Sequence, residues 1–264
     1  MIDTLAVVYA TLLGAVVGSF LNVCVHRWPR DESVVKPRSR CPQCGNPIAW
    51  YDNVPIMSWL VLRGRCRHCG NPISARYPLV ELAVALIWGG AMAAFVWGDA
   101  TVTGPATGEA LRVAVFLTIL LGIALTDAEH YIIPDEFSLG GVVIGVLLSL
   151  LPGGITPLAS ALGAAIGFAL LWVIAVLGEK AFHKPAMGGG DIKMMAMIGA
   201  FLGWQGVLLT VFLGSLLGAV IFGPISYRTG KLVPFGIFLA LGGFVSMLWG
   251  DALIHWYSTT FLGL

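Results

Sequence analysis

Phe116-Leu117-Thr118-Ile119-Leu120-Leu121-Gly122-Ile123-Ala124-Leu125-Thr126-Asp127 is an uncharged apolar run that stops on a carboxylate. A run of this kind is at home in hydrocarbon, and an acid at its end marks the place where hydrocarbon gives way to water. The rest of the chain repeats the pattern. Hydrophobic residues make up 58% of it and charged residues 11%, with a mean hydropathy of +0.88, whereas soluble domains carry about 25% charged residues. Helices satisfy their own backbone groups in lipid, so the composition describes an all-α polytopic membrane protein. Working outward from residue 127, apolar runs long enough or nearly long enough to cross roughly 30 Å of hydrocarbon cover 5–24, 78–97, 111–126, 137–151, 157–178, 192–202, 206–225 and 233–250. About eight transmembrane helices are expected, the sixth being the shortest.

Cytoplasmic loops retain positive charge, so the distribution of Lys and Arg predicts the orientation. Residues 25–77 hold nine of them: Arg27, Arg30, Lys36, Arg38, Arg40, Arg63, Arg65, Arg67 and Arg76. Lys180, Lys184 and Lys193 flank a glycine-rich run, Arg228 and Lys231 join the last two helices, and Arg112 falls on the opposite side. With eight crossings both termini are expected outside, and Asp127, Asp135 and Asp191 at the cytoplasmic face. No basic residue precedes the first apolar run, which argues against a cleaved signal and for an uncleaved first helix over 1–24. Small residues recur four apart at Gly14/Gly18, Gly141/Gly145, Gly163/Gly167, Gly199/Gly203 and Gly214/Gly218, a spacing that lets helix backbones approach in lipid. No internal repeat and no low-complexity segment is expected. The chain divides into a first helix (1–24), a polar segment (25–77) and a membrane-embedded core (78–264).

The polar segment carries Cys41-Pro42-Gln43-Cys44 and Cys66-Arg67-His68-Cys69. Two Cys-x-x-Cys knuckles at this separation match a four-thiolate zinc site. A disulfide framework is the main competitor, but a cytoplasmic location would keep the thiols reduced. A segment of about 50 residues buries little core, so a metal would supply folding free energy that packing cannot. Four thiolates leave no open coordination position, which makes the zinc structural. His68 is an alternative ligand, and Cys24 reads as a small apolar residue.

Two further acids stand near apolar runs. Asp191 follows Gly188, Gly189 and Gly190 at the start of the sixth run. Glycines permit backbone conformations that other residues resist, and an extended peptide could lie against the carboxylate beside them. Asp127 and Asp191, if brought together, could not both ionise cheaply. They would share a proton and act as general base and general acid in adding water to an amide, and the helix N-terminus favours Asp191 as the base. Each also reads simply as an interfacial acid at a helix end. Glu129, Asp135 and Glu136 lie in a short loop after Asp127, where solvated charges are ordinary. Glu81, inside the second run, needs a polar partner or a role.

Taken together these motifs resemble a known family. Gly18-Ser19-Phe20-Leu21-Asn22-Val23, Arg27-Trp28-Pro29, the two cysteine knuckles, Trp50-Tyr51-Asp52-Asn53-Val54-Pro55, Leu62-Arg63-Gly64-Arg65-Cys66, Arg76-Tyr77-Pro78-Leu79-Val80-Glu81, Asp127 and Gly188-Gly189-Gly190-Asp191 are similar to the bacterial type IV prepilin peptidases. The Gly-x-Gly-Asp element alone is shared with presenilin-like and signal-peptide-peptidase-like proteases. The resemblance implies that Asp127 and Asp191 are catalytic aspartates in residues 78–264 and that Cys41, Cys44, Cys66 and Cys69 bind Zn2+. It also implies a second activity, methylation of the new N-terminus with S-adenosylmethionine. The implied substrates are prepilins or type II secretion pseudopilins, with a basic leader, Gly before the scissile bond and usually Phe after it.

Glu129, Asp135 and Glu136 are candidates to attract that leader. No Gly-x-Gly-x-x-Gly marks a Rossmann-type cofactor domain, so Glu81 is the candidate for the cofactor or the substrate amine, with a buried structural hydrogen bond as the plain alternative. The expected setting is the bacterial inner membrane, with the lipid bilayer and pilin-like substrates as partners and no nucleic acid. A peptidase without methyl transfer is the nearest alternative. An ion-coupled transporter with a zinc-binding loop is a further one, but it would place ionisable groups near the bilayer midplane.

Overall fold

The computed structural model describes residues 2–98, 104–184, 187–229 and 235–263. Among these the regular elements are helices: α1 (Ile2–Arg27), a short α2 (Met57–Val61), α3 (Arg76–Gly98), α4 (Gly104–His130), α5 (Asp135–Leu148), α6 (Pro157–Phe182), α7 (Gly189–Thr229) and α8 (Phe235–Tyr257). Among the described residues six stretches are long and apolar enough to cross a bilayer. The eight expected runs are helical where described, except that the fourth (137–151) leaves the helix after Leu148; residues 233 and 234 of the last run, and Lys231, lie outside the described residues. The chain groups into two compact units, Met1–Thr118 and Ile119–Leu264.

The counts of six and eight are reconciled by the shortness of α5, which at 14 residues is not among the six, and by a break in α7. Gly203 has φ 69° and ψ −176°, which is not helical. On a straight helix Met195 and Val207 would lie about 18 Å apart. Instead a Cβ placed on Gly167 of α6 would come within 2.3 Å of the Met195 carbonyl oxygen and 3.3 Å of Val207 Cγ2. The chain therefore folds back at Gly203, and α7 is a hairpin of residues 189–202 and 204–229. The first arm and α5, which has 14 residues, each span about 21 Å. Both are shorter than the roughly 30 Å hydrocarbon layer.

In the first unit α1 packs on α3 through the expected small residues. A Cβ on Gly14 would lie 2.8 Å from the Val84 carbonyl oxygen, and one on Gly18 2.8 Å from Glu81 Cα. Asn22 Nδ2 donates to the Tyr77 carbonyl at 3.1 Å. In the second unit the 189–202 arm is the central helix, with Met194, Met195, Met197, Ile198 and Ala200 fully buried. α6 meets it at Gly163 and Gly199, whose added Cβ atoms would come 2.2 and 2.0 Å from each other's carbonyl oxygens. α5 meets it where Gly141 receives Met197 and Gly145 receives Phe201. α8 closes on the 204–229 arm, with Gly242 against the Thr210 carbonyl and Thr210 Oγ1 bonded to Ser246 Oγ at 3.1 Å.

One sequence expectation is corrected here, that of no internal repeat. Arg40-Cys41-x-x-Cys44-Gly45-Asn46-Pro47-Ile48 recurs as Arg65-Cys66-x-x-Cys69-Gly70-Asn71-Pro72-Ile73, and the two copies fold alike. In each, the glycine is left-handed, with φ 72° at Gly45 and 70° at Gly70. Each glycine N–H donates at 2.9 Å to the carbonyl of the first cysteine, Cys41 or Cys66, whose own N–H donates at 2.9 Å to the carbonyl of Asn46 or Asn71. Isolated bridges pair Arg40 with Pro47 and Arg65 with Pro72. The unit is too short to register as a period of the whole chain, although its residues are plain once the knuckles are aligned.

The glycine contacts set a stability test. Gly199→Ala pushes a methyl into the backbone of α6 and is expected to cost roughly 1–3 kcal/mol. Gly90→Ala, where a Cβ would meet nothing within 4 Å, is expected to be neutral or slightly stabilising. Thermal unfolding in detergent micelles measures both, and equal melting temperatures would remove the close α6–α7 seam.

Candidate active site and a four-cysteine cluster

α4 presents Asp127 in its last turn. The helix ends at His130 because Tyr131 turns left-handed, with φ 56°, and its N–H closes on the Asp127 carbonyl at 3.0 Å. Pro134 then precedes α5 as its N-cap. The Asp127 side chain is 6% exposed, and burying a carboxylate is costly without donors. Its Oδ2 accepts the Ile237 N–H at 3.1 Å, and the Gly236 amide is a second donor. Those amides are among the unpaired N–H groups that open a helix, here α8. A Cβ on Gly236 would come 2.8 Å from Asp127 Oδ2, so the position has no room for a side chain.

Asp191 comes from the first turn of α7 and is half-buried. Its carboxylate accepts the Gly188 N–H, and it lies near enough to Asp127 for that residue's charge to act on it. Ile133, in the connector between α4 and α5, lies against both the turn that carries Asp191 and the start of α8, which donates to Asp127. A Cβ on Gly190 would lie 3.0 Å from Ile133 Cβ, and one on Gly236 3.0 Å from Ile133 Cδ1.

The glycines before Asp191 are not there for unusual backbone angles, as the sequence had suggested. None of Gly188, Gly189 and Gly190 takes a left-handed φ. Gly188 lets the Asp191 carboxylate approach, with an added Cβ 3.3 Å from Oδ2, and Gly190 accommodates Ile133. Gly189 faces open space where a side chain would be.

The other acids are spread around this pair. Glu129 and Glu136 are exposed, with Glu129 3.9 Å from His130 Nε2. Asp135 is engaged by Lys193, whose Nζ donates to both carboxylate oxygens at 2.7 and 2.9 Å. Glu81 belongs to the first unit. It is buried, and its Oε2 accepts the Ile56 N–H at 2.7 Å, where Ile56, with φ 61°, opens α2. The polar partner that Glu81 requires is thus a backbone amide of the polar segment.

Cys41, Cys44, Cys66 and Cys69 converge, with their Sγ atoms all within 4.8 Å of one another and the Cys41–Cys69 pair at 3.9 Å. Four thiolates about 2.3 Å from a tetrahedral zinc stand roughly 3.8 Å apart, so the cluster could hold that ion. The amides of Cys69 and His68 pull the Cys66 thiol down to about 6, whereas, against the Asn71 amide, burial and the neighbouring thiols push Cys69 up to about 11. Between residues 28 and 75 the buried positions are Cys41 and Gly64 alone, so this segment has almost no apolar core of its own. Arg67, inside the second knuckle, donates to both Asp52 oxygens at 2.7 and 2.6 Å and holds that carboxyl below its usual range.

Sequence reading missed Gly236 and Ile237, Ile133 and the Lys193–Asp135 pair. The glycine at the start of the last apolar run was the available signal for the first. Pairings across many tens of residues leave no mark in a single sequence.

The site therefore belongs to a helical membrane protein that brings two aspartates together in its second unit and four cysteines together in its first. Residues 12–95 match the model of the bacterial peptidase A24 N-terminal domain, and residues 114–223 that of the type IV leader peptidase family. The chain belongs to the type IV leader peptidase family. A prepilin leader peptidase/N-methyltransferase of Aeromonas hydrophila is 38% identical over 95% of this chain and 93% of its own length. One from Pseudomonas aeruginosa is 36% identical over 93% of this chain and 91% of its own length. One from Myxococcus xanthus is 41% identical over 86% of this chain, which spans 65% of that relative's length. No solved structure matches the chain.

The cysteine geometry makes a metal prediction. Freshly purified, reduced protein is expected to carry one zinc per chain by elemental analysis. Cys41→Ser with Cys44→Ser should release it and open residues 28–75 to proteolysis. Protein that holds no zinc yet resists protease there would refute the metal site.

Proposed function

We propose that this protein cleaves the basic leader from type IV prepilins or type II secretion pseudopilins at the cytoplasmic membrane face. It then N-methylates the new N-terminal residue, usually Phe, with S-adenosylmethionine. The observation that carries the reading is the pairing of Asp127 and Asp191 in a chain of this family. The excess of Lys and Arg in 25–77 supports placing both termini outside and the acids at the cytoplasmic face of a multi-pass inner-membrane protein.

In the proposed chemistry one carboxylate takes a proton from water, whose oxygen attacks the scissile carbonyl carbon. The other gives its proton to the carbonyl oxygen. Collapse of the tetrahedral species breaks the C–N bond as the leaving nitrogen is protonated. The Ile237 and Gly236 amides hold Asp127 in place for this. Open space at Gly189 leaves room for an extended substrate backbone beside Asp191. Glu129 and Glu136 form an acidic rim for a basic leader, while both oxygens of Asp135 are taken up by Lys193.

Cys41, Cys44, Cys66 and Cys69 would hold a structural Zn2+, which supplies folding free energy rather than a reactive position. S-adenosylmethionine supplies a methyl group on a cationic sulfonium. The buried carboxylate of Glu81 suits a cation, and a groove of about 550 Å³ in the same unit, walled by Val16, Phe20, Arg27, Arg38, Asn53 and Pro55, offers space for a nucleoside-sized donor. The accepting α-amine must be neutral, and its ordinary pKa of about 7.7–8.0 leaves a usable fraction unprotonated near pH 7.

Co-expression with a tagged prepilin tests the peptidase. Asp127→Asn and Asp191→Asn are each expected to yield inserted, folded protein that leaves the leader attached, because an amide cannot exchange the proton. Substantial cleavage by either variant would remove that residue from the mechanism. Asp191→Asn should still methylate a precleaved pilin. A wild-type product that is cleaved but lacks the mass of one methylene at its N-terminus would reduce the protein to a peptidase alone.

A further inference from the structure

We infer that the Lys193–Asp135 ion pair is a positioning clamp, tying the first turn of α7 to the start of α5 and so holding Asp191 against Asp127. The inference rests on the dyad reading above and adds a residue pair to it. Lys193 lies two residues after Asp191 in the same turn, and Asp135 lies eight residues after Asp127, at the end of the connector that carries Ile133. The bond therefore closes a short ring running from Asp127 through the Tyr131 turn to Asp135, across to Lys193 and back to Asp191. It is two-pronged, with Nζ on both carboxylate oxygens at 2.7 and 2.9 Å, so it fixes direction as well as distance.

The turn needs such a tie. Three glycines lead into it and contribute no side chains. Asp191, Ile192 and Lys193 are half-buried, and full burial of the arm begins only at Met194. Ile133 against Gly190 restrains one side of the turn, and Lys193 reaches the start of α5 on the other. The side chains of Lys193 and Asp135 are 37% and 56% exposed. Ion pairs this wet add little to global stability, so loss of this one should leave the fold standing and misplace the carboxylate. Misplacement on the ångström scale lowers turnover steeply.

Cleavage kinetics of the full-length protein on a purified prepilin, with Asp135→Asn, Lys193→Met, the double variant and Lys193→Arg, provide the test. Each of the first two is expected to lower kcat by about tenfold or more while KM stays within about twofold. The double variant should be no worse than the poorer single one, because both remove the same bond, and Lys193→Arg should retain most of the activity. Unchanged kcat in both single variants overturns the clamp, as do losses that multiply in the double variant. A raised KM at constant kcat in Asp135→Asn also overturns it, since that is the mark of a substrate contact. So does a drop in melting temperature large enough to explain the lost turnover. The two readings fail separately: active Asp191→Asn protein would sink the dyad, whereas inactive Asp191→Asn beside fully active ion-pair variants would sink the clamp alone.

Discussion

A carboxylate buried at the end of an apolar helix must find hydrogen-bond donors or it costs more than a marginal fold can bear. Asp127 finds them in the first turn of α8, where Ile237 and Gly236 present amides that no preceding turn can satisfy. That one contact joins segments 110 residues apart and meets two needs together, those of the buried acid and of the helix start. It also explains the glycine at position 236, since any side chain would strike the carboxylate. The acid cannot drift outward to solvate itself without giving up α8, so its position is set by the bundle rather than by its own rotamer preferences.

The second acid is placed by a different device. Asp191 rides on a helix arm too short to cross the bilayer, and that arm is walled by α5 and α6 along glycine seams. Where Gly163 faces Gly199 the backbones touch, so the α6 seam has little freedom to slide. The fold back at Gly203 returns the chain antiparallel to itself, and the 204–229 arm packs on α8, the helix that holds Asp127. The central arm is thus fixed at its deep end by packing. Its first turn, where the chemistry is proposed to occur, relies on Ile133 and on the ion pair that reaches α5.

Much of this was legible in the sequence. Among the described residues the apolar runs located the six stretches long enough to cross a bilayer, because hydrocarbon demands length and uniformity, and they also marked the shorter α5 and the 189–202 arm. The four-residue glycine spacing marked the helix seams, and the knuckle spacing marked the cysteine cluster. What could not be read was of two kinds. The Ile237–Asp127 and Lys193–Asp135 contacts join segments remote in sequence, and nothing local in either residue announces its partner. Gly188–Gly190 pointed toward backbone freedom, since that is the commonest use of glycine in a loop, whereas the structure uses two of the three for close approach. The repeated nonapeptide at 40–48 and 65–73 was hidden by its brevity.

The first unit poses the complementary problem of a polar segment with almost nothing to bury. Its two copies of one turn each point a pair of thiols at a common centre, with a left-handed glycine closing each loop. Such a construction stores no packing energy, and a metal at the centre would stand in for a core. Arg27, at the end of α1, ties the segment by donating to the Ser33 and Pro37 carbonyls at 2.8 Å each. Glu81 adds a tie from the other side, because its carboxylate reaches from inside α3 to the amide that opens α2. The Ile56 amide takes one oxygen, Oε2, and the residue before it, Pro55, lines the groove in which the methyl donor is proposed to bind. Glu81 and Asp127 thus share one construction, each being a buried carboxyl fixed by a backbone amide at the opening of another helix.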